Sequence, residues 1–297
     1  MSKFKVIKYK IILVLINFIR LFTFKKSNNK ESFFIIGSGR NGSTLLSTIL
    51  NAHKDIFIPP EQFVLPYAIM KRYVFFYKRN DFINNYIIDM FSNNKKTLNW
   101  DFSFNNIEVN NKCINDIYSN IYINYSMQKG KKIKKWGDKT PLNIHFIKFI
   151  YPEFVNSKYI FLIRDVRDVI VSYKKLKDHK AKNIDFAIWK WNDSIRKLRY
   201  LQKYTNPLII KYEDLVSNTN LVINDILHYI ELPVEKNLIN KKLSASDMGV
   251  GTKNHHANLN NKINSKSVGS WKMELSESDL KKINRNCRNN LIEFGYL

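Results

Sequence analysis

The chain has 297 residues, 44% of them hydrophobic and 14% aromatic, which is enough for a sizeable buried core and too apolar for a disordered chain. Its 49 Lys and Arg against 25 Asp and Glu give a formal net charge of +24, which favours anionic ligands: nucleotides, anionic lipid, nucleic acid or acidic acceptors. Lys, Asn and Ile recur along the whole chain, so a compositional origin of that charge stands beside a functional one. Two cysteines, Cys113 and Cys287, lack CxxC spacing and nearby histidines; they argue against a disulfide framework or a metal site and fit a reducing, cytoplasmic compartment.

Residues 4–26 form the first feature. Their apolar core, Ile11 to Ile19 around Asn17, is too short for a confident bilayer span, and Arg20 breaks the apolar run beyond it. The segment ends without a small-residue cleavage site, which argues against a cleaved signal peptide. Basic flanks on an apolar helix suit a helix lying on an anionic membrane surface, either peripheral or anchored. A helix packed on the domain and a signal-anchor that tolerates Arg20 are the other readings.

A polar linker, KKSNNKES, leads to a predicted buried strand over Ser32–Ile36, then the loop GSGRNGST from Gly37 to Thr44. A helix is expected from about Ser43 to Ala52, with Leu45, Leu46, Ile49 and Leu50 on one face. DIFIPPE reads as a short strand broken by Pro59 and Pro60, and residues 62–130 are aromatic, Asn-rich and mostly helical in pattern. KYIFLIRD (158–165) is a second fully buried strand, followed by a helix through Val169 and Tyr173; PLIIKYEDL (207–215) is a third, and a further helix comes after it. Continuous apolar strands alternating with helices predict a parallel sheet covered on both faces. The expected organisation is a basic N-terminal segment, 1–30, and one three-layer α/β domain over 31–297.

A glycine loop between strand and helix aims several backbone N–H groups and the positive helix end at one point, where a phosphate binds. Gly37, Gly39 and Gly42 allow close backbone approach, and Ser43 and Thr44 can donate hydroxyl hydrogen bonds. The NTPase pattern would place lysine after Gly42; this chain has Ser43, and its one loop cation is Arg40. That change disfavours a γ-phosphate role, and no acid stands clearly at a strand end as a magnesium ligand. Arg164, at the end of the second long strand, and Ser172 eight residues on can hold a second phosphate. A local pair of Arg164 with Asp165 is the plain alternative.

Together these segments resemble the sulfotransferases that use 3′-phosphoadenosine 5′-phosphosulfate (PAPS), over about residues 33–275. GSGRNGST is similar to the family's 5′-phosphosulfate loop, which implies donor contacts from Gly39, Arg40, Asn41, Gly42, Ser43 and Thr44. FLIRDVRDVIVSY is similar to the 3′-phosphate strand and helix, implying that Arg164 and Ser172 bind that phosphate. KYEDL, with Tyr212, and VGSWKMEL, with Gly269 and Trp271, resemble the segments near and over the nucleotide. Within the family the chain looks most like the tyrosylprotein branch and its bacterial relatives. That resemblance implies Glu61 as general base and Lys139, in WGDKTP, as a cation on the sulfonate. Asn41 and Ser43 depart from the branch pattern, and Phe63 stands where that branch has a substrate-binding arginine.

Sulfonate transfer needs a base for the acceptor proton, cations on the sulfonate and stabilisation of the leaving phosphate, and no metal. The implied set is Glu61, Lys139 and Arg40. His145 is a packing residue or the fallback base, His255 and His256 can face the acceptor, with His255 the second fallback base, and Lys262 and Lys266 are either donor contacts or solvated loop lysines. The partners implied are a nucleotide donor and a hydroxyl acceptor, with no nucleic acid. Two competing readings are a P-loop kinase or other NTPase, and a non-enzymatic basic binder of polyanions or membrane surfaces.

Overall fold

The computed structural model describes residues 29–74, 113–176, 180–242 and 263–297, with short pieces at 11–15, 18, 86–87, 89–91, 100 and 102–103. Five strands form one parallel sheet: β1 (Ser32–Ile36), β2 (Ile56–Phe57), β3 (Lys135–Asp138), β4 (Lys158–Ile163) and β5 (Leu208–Lys211). Their spatial order is β2-β3-β1-β4-β5. The strand of the glycine loop therefore lies at the centre. The chain leaves it first toward β2 and β3 and later returns on its other side through β4, so β1 borders the switch in strand order where ligands bind in such sheets.

Alternate side chains of the central strands enter different cores. Phe34, Ile36, Tyr159, Phe161 and Ile163 face one, and Phe33, Ile35, Ile160 and Leu162 face the other. The second core is closed by α1 (Ser43–Leu50), through Leu46, Ile49 and Leu50, and by a helix over Thr219–Tyr229, through Val222, Ile223, Ile226 and Leu227. On the first side lie α2 (Leu65–Val74), α3 (Ile114–Gln128), α4 (Val166–Lys174), α5 (Ile184–Leu201) and the C-terminal helix, Glu277–Glu293. This is the expected parallel sheet with helices on both faces.

Two boundaries differ from the sequence reading, each for a local reason, and one strand is added by pairing. β4 stops at Ile163 because Asp165 caps α4, its side chain accepting from the Arg167 N–H. The third long strand ends at Lys211, and Tyr212 opens a short helix (Tyr212–Ser217) with Glu213 and Asp214 in its first turn, where acids are favoured. β3 is an added strand; KWGD carries lysine, glycine and aspartate, all weak strand formers, so its pairing with β1 and β2 decides its state.

Asp138 ends β3 and is 1% exposed. Its Oδ2 accepts from Tyr122 OH and Gln62 Nε2, both at 2.6 Å, and its Oδ1 from Asn143 Nδ2 at 2.7 Å. The Gln62 N–H donates to Thr140 Oγ1, and its Oε1 accepts from the N–H groups of Val64 and Leu65 at the start of α2. One carboxylate thus ties α3, the loop after β2 and the turn after β3 together. Asp138→Ala strips the acceptor from three buried donors and is expected to reduce unfolding free energy by about 3 kcal/mol or more. Urea denaturation measures this, and an unchanged midpoint would show that these donors find other partners.

Candidate active site

β1, β3 and β4 run in parallel register, with Phe34 opposite Asp138 and Ile36 opposite Phe161. Their carboxyl ends therefore deliver the loop 37–42, Lys139 and Arg164 to one edge of the sheet. The loop passes directly into α1, whose N-cap is Gly42 at φ 85 with no side-chain cap. The first-turn N–H groups of α1 have no intrahelical acceptors, so the helix presents an uncapped positive end to the loop. Gly42 is also a close approach: a Cβ there would lie 2.4 Å from Cδ2 of Tyr212.

Arg40 holds φ 56, a left-handed conformation that is strained in a non-glycine residue. Two contacts keep it there. Its carbonyl accepts from Arg164 Nη1 at 3.2 Å, and its Nε donates to Ser172 Oγ at 2.9 Å. Burial lowers the Arg40 pKa from its usual value, with Arg164 adding to the effect and Tyr173 opposing it.

Across the loop, Lys139 Nζ lies 2.7 Å from Glu61 Oε1 and 3.5 Å from Thr44 Oγ1. The lysine side chain is 2% exposed and the glutamate 34% exposed. The buried ammonium thus faces a carboxylate that reaches solvent. Both residues are neighbours of the Asp138 cluster, Lys139 in sequence and Glu61 through Gln62. An acid does stand at the end of β3, against the sequence expectation. Both Asp138 oxygens already accept from neutral donors, in a buried setting.

Arg164 is 6% exposed. Its Nη2 donates to Ser267 O at 2.6 Å, its guanidinium carbon lies 4.4 Å from the centroid of the Tyr212 ring, and its buried Nε has no partner. The pairing of Arg164 with Asp165 does not form. Asp165 instead takes Arg167, with Nε donating to both carboxylate oxygens at 2.9 and 3.0 Å and Nη2 to Oδ2 at 2.6 Å. The Tyr212 hydroxyl shares a 2.8 Å hydrogen bond with Ser267 Oγ.

The C-terminal segment is tied to α4 by Asp168, whose carboxylate accepts from Gly269 N at 2.8 Å, Ser270 Oγ at 3.0 Å and Trp271 N at 3.0 Å. The Trp271 ring lies over the Arg167 guanidinium, 3.9 Å from centroid to carbon. Gly269 and Trp271 thus border the Arg164 end of the site.

Other candidates are placed less centrally. The Asn41 side chain turns toward the sheet, its Nδ2 donating to Leu162 O at 2.5 Å, so only its backbone faces the loop. Ser43 is buried in the first turn of α1. Lys266 is exposed, and Lys262, His255 and His256 lie outside the described residues. His145 Nδ1 is 2.7 Å from Asp193 Oδ2, its ring stacks on Trp189, and burial lowers its pKa.

Two residues near the loop went unread in the sequence. Tyr173 OH donates to Ser38 O at 3.1 Å, and Lys190 Nζ donates to that same phenol oxygen at 2.7 Å. Lys190 comes from α5, one lysine between two tryptophans among 49 basic residues, and no motif marks it.

Comparisons with known proteins bear on the family and the fold. The family model described as "Sulfotransferase family" matches residues 32–236, more than half of the chain. A Caenorhabditis briggsae protein, provisionally named a protein-tyrosine sulfotransferase, is 24% identical over 265 residues, 86% of each chain. A Drosophila melanogaster protein-tyrosine sulfotransferase is 20% identical over 216 residues, 70% of this chain and 40% of that protein. Among solved structures, the sulfotransferase domain from the curacin biosynthetic pathway superposes with a TM-score of 0.58 at 19% identity, covering 87% of this chain and 98% of that one. The likeness to that structure is one of fold. With the match running from the first strand past the helix that succeeds the fifth, the chain belongs to the sulfotransferase family.

Proposed function

We propose that the chain transfers a sulfonate group from PAPS to a hydroxyl of a carbohydrate, lipid, peptide or small molecule, with Glu61 as general base. The observation that carries this reading is the contact of Glu61, Lys139 and Thr44 at the mouth of the glycine loop. In the proposed step the acceptor oxygen attacks sulfur, its proton passes to the Glu61 carboxylate, and the bond from sulfur to the 5′-phosphate oxygen breaks. The leaving group is adenosine 3′,5′-bisphosphate. Lys139 and Arg40 stabilise charge on the sulfonate and on the bridging oxygen, while the loop N–H groups, Ser43 and Thr44 hold the 5′-phosphate. A positioned base contributes typically ~10²–10⁴ in rate.

Arg164 and Ser172 are assigned to the 3′-phosphate. Support comes from the buried Arg164 Nε, a charged donor without a partner that an anion would satisfy. The Ser172 hydroxyl accepts from Arg40 rather than lying against Arg164, and its assignment to the same phosphate rests on the resemblance. Tyr212, Gly42 and the 267–271 segment, with Gly269 and Trp271, wall the nucleotide. The names of the curated relatives make a tyrosine-bearing peptide the first acceptor to assay, and Phe63 argues for including sugars and phenols.

Residues 4–26 are proposed to rest on an anionic membrane. Ile12 and Leu13 pack on the core, while Ile11, Val14 and Leu15 are each more than half exposed, at i, i+3, i+4 spacing. Lys5, Lys8, Lys10, Arg20, Lys25 and Lys26 flank this stripe, the pattern of an interfacial helix. Among the described residues no helix is long and apolar enough to cross a membrane.

Three measurements test these assignments. With sulfur-labelled donor and the acceptor panel, Glu61→Gln is expected to lower turnover by ~10² or more with donor affinity nearly unchanged. A loss confined to donor affinity would make Glu61 structural. In calorimetry, Arg164→Ala is expected to weaken adenosine 3′,5′-bisphosphate by about tenfold or more while adenosine 5′-phosphate changes little; equal losses would remove the 3′-phosphate assignment. Deleting residues 1–27 is expected to move the protein from the membrane to the soluble fraction and leave donor binding intact. An insoluble or non-binding product would show that the core contacts of Ile12 and Leu13 are needed by the domain and overturn the membrane assignment.

A further inference from the structure

We infer that Lys190 is a donor-binding residue, which brings to the glycine loop, from another helix, the cation that an NTPase loop carries within itself. The inference rests on the loop being the 5′-phosphosulfate site. A Cβ added at Gly39 would lie 3.3 Å from Lys190 Nζ and 2.8 Å from Tyr173 OH. The ammonium therefore sits against the loop backbone, on the stretch where the motif has glycine. It reaches there from α5, whose other side packs Trp191 and Ile195 into the core.

The partners of this ammonium are incomplete. Among the described residues it donates one hydrogen bond, to the neutral Tyr173 phenol, which in turn donates to Ser38 O. An ammonium has three donors, and a largely buried one without a counter-ion is costly unless an anion arrives. The groups facing it are Tyr173 on α4, Arg40 in the loop and Glu61 after β2. Burial pulls its pKa down to about 8, Arg40 adds to that, and Glu61 opposes it. A 5′-phosphate or phosphosulfate on the loop supplies the missing charge. Tyr173 then acts as a positioning residue that aims the amine.

The pH dependence has a definite sign. With a free-state pKa of about 8, Lys190 is mostly charged at neutral pH. Bound anion favours the charged form, so ligand affinity is full below that value and declines as pH rises through it. Phosphate monoesters, with a second pKa of ≈ 6, are already fully ionised there and contribute no change of their own.

The test is calorimetric titration of the full chain with adenosine 3′,5′-bisphosphate and, separately, adenosine 3′-phosphate. Lys190→Gln is expected to weaken the bisphosphate about tenfold at neutral pH, the effect of one charge-assisted hydrogen bond, and to leave adenosine 3′-phosphate unchanged. Lys190→Arg should recover most of the loss. The decline of bisphosphate affinity through about pH 8 should be present in the wild type and absent in Lys190→Gln. Should that variant not fold, Lys190→Met, which keeps the apolar stem and drops the charge, takes its place with the same readouts. Equal bisphosphate affinity in wild type and variant overturns the inference and leaves the sulfotransferase reading standing. Equal losses for both nucleotides make Lys190 merely structural. A wild type that binds neither nucleotide removes the loop assignment itself, and this inference with it.

Discussion

The buried carboxylate of Asp138 is the constraint on which the site is built. Burial raises its pKa, and hydrogen bonds from Tyr122, Gln62 and Thr140 work against that rise. A carboxyl group at that depth persists only where donors surround it. Here the donors come from separate parts of the chain. Tyr122 is in α3 and packs on Trp136 at 4.3 Å between ring centroids. Gln62 is next to Glu61, and Asn143 lies in the turn after Lys139. The interactions that make the carboxylate tolerable therefore also hold Glu61 and Lys139 side by side.

Positive charge at the sheet edge is arranged differently. Arg40, Lys139, Arg164 and Lys190 converge on this edge of the sheet, where Glu61 pairs with Lys139 and Glu213 lies near Arg164. Such like charges repel, and three of them rest on neutral groups: Arg40 on the Ser172 hydroxyl, Arg164 on two carbonyls and the Tyr212 ring, Lys190 on the Tyr173 phenol. Arg167 shows the contrast. It is buried too, but its guanidinium is closed on Asp165 and the Tyr296 carbonyl. A cation matched by its own carboxylate has a structural role, whereas cations left on neutral partners keep their attraction for an anionic ligand.

Helix α4 connects these parts. Its cap residue Asp165 fixes Arg167, Asp168 gathers the N–H groups of 269 and 271, Ser172 meets Arg40, and Tyr173 meets both Ser38 and Lys190. In nine residues one helix touches the glycine loop, the C-terminal segment and the lysine from α5. A change in the spacing of this helix against β1 would be felt at every donor contact proposed here.

Much of the architecture was legible in the chain because its signals are local. The apolar runs at Ser32–Ile36 and Lys158–Ile163 with the glycine loop between strand and helix foretold a parallel sheet and drew attention to Arg40 and Arg164, while Glu61 and Lys139 came from the resemblance to the sulfotransferases. The features that stayed hidden depend on residues far apart in sequence. β3 is a strand through its register with β1, since KWGD has little preference of its own. Asp165 chose Arg167 over Arg164 because capping α4 turned its carboxylate toward the helix. Lys190 stands 150 residues after Arg40, and only the packing of α5 on α4 brings its ammonium to the loop. Sequence by itself determined four of the five strands, the glycine loop and the family; tertiary structure decided which cations rest on neutral partners, because that depends on which carboxylates the fold leaves within reach.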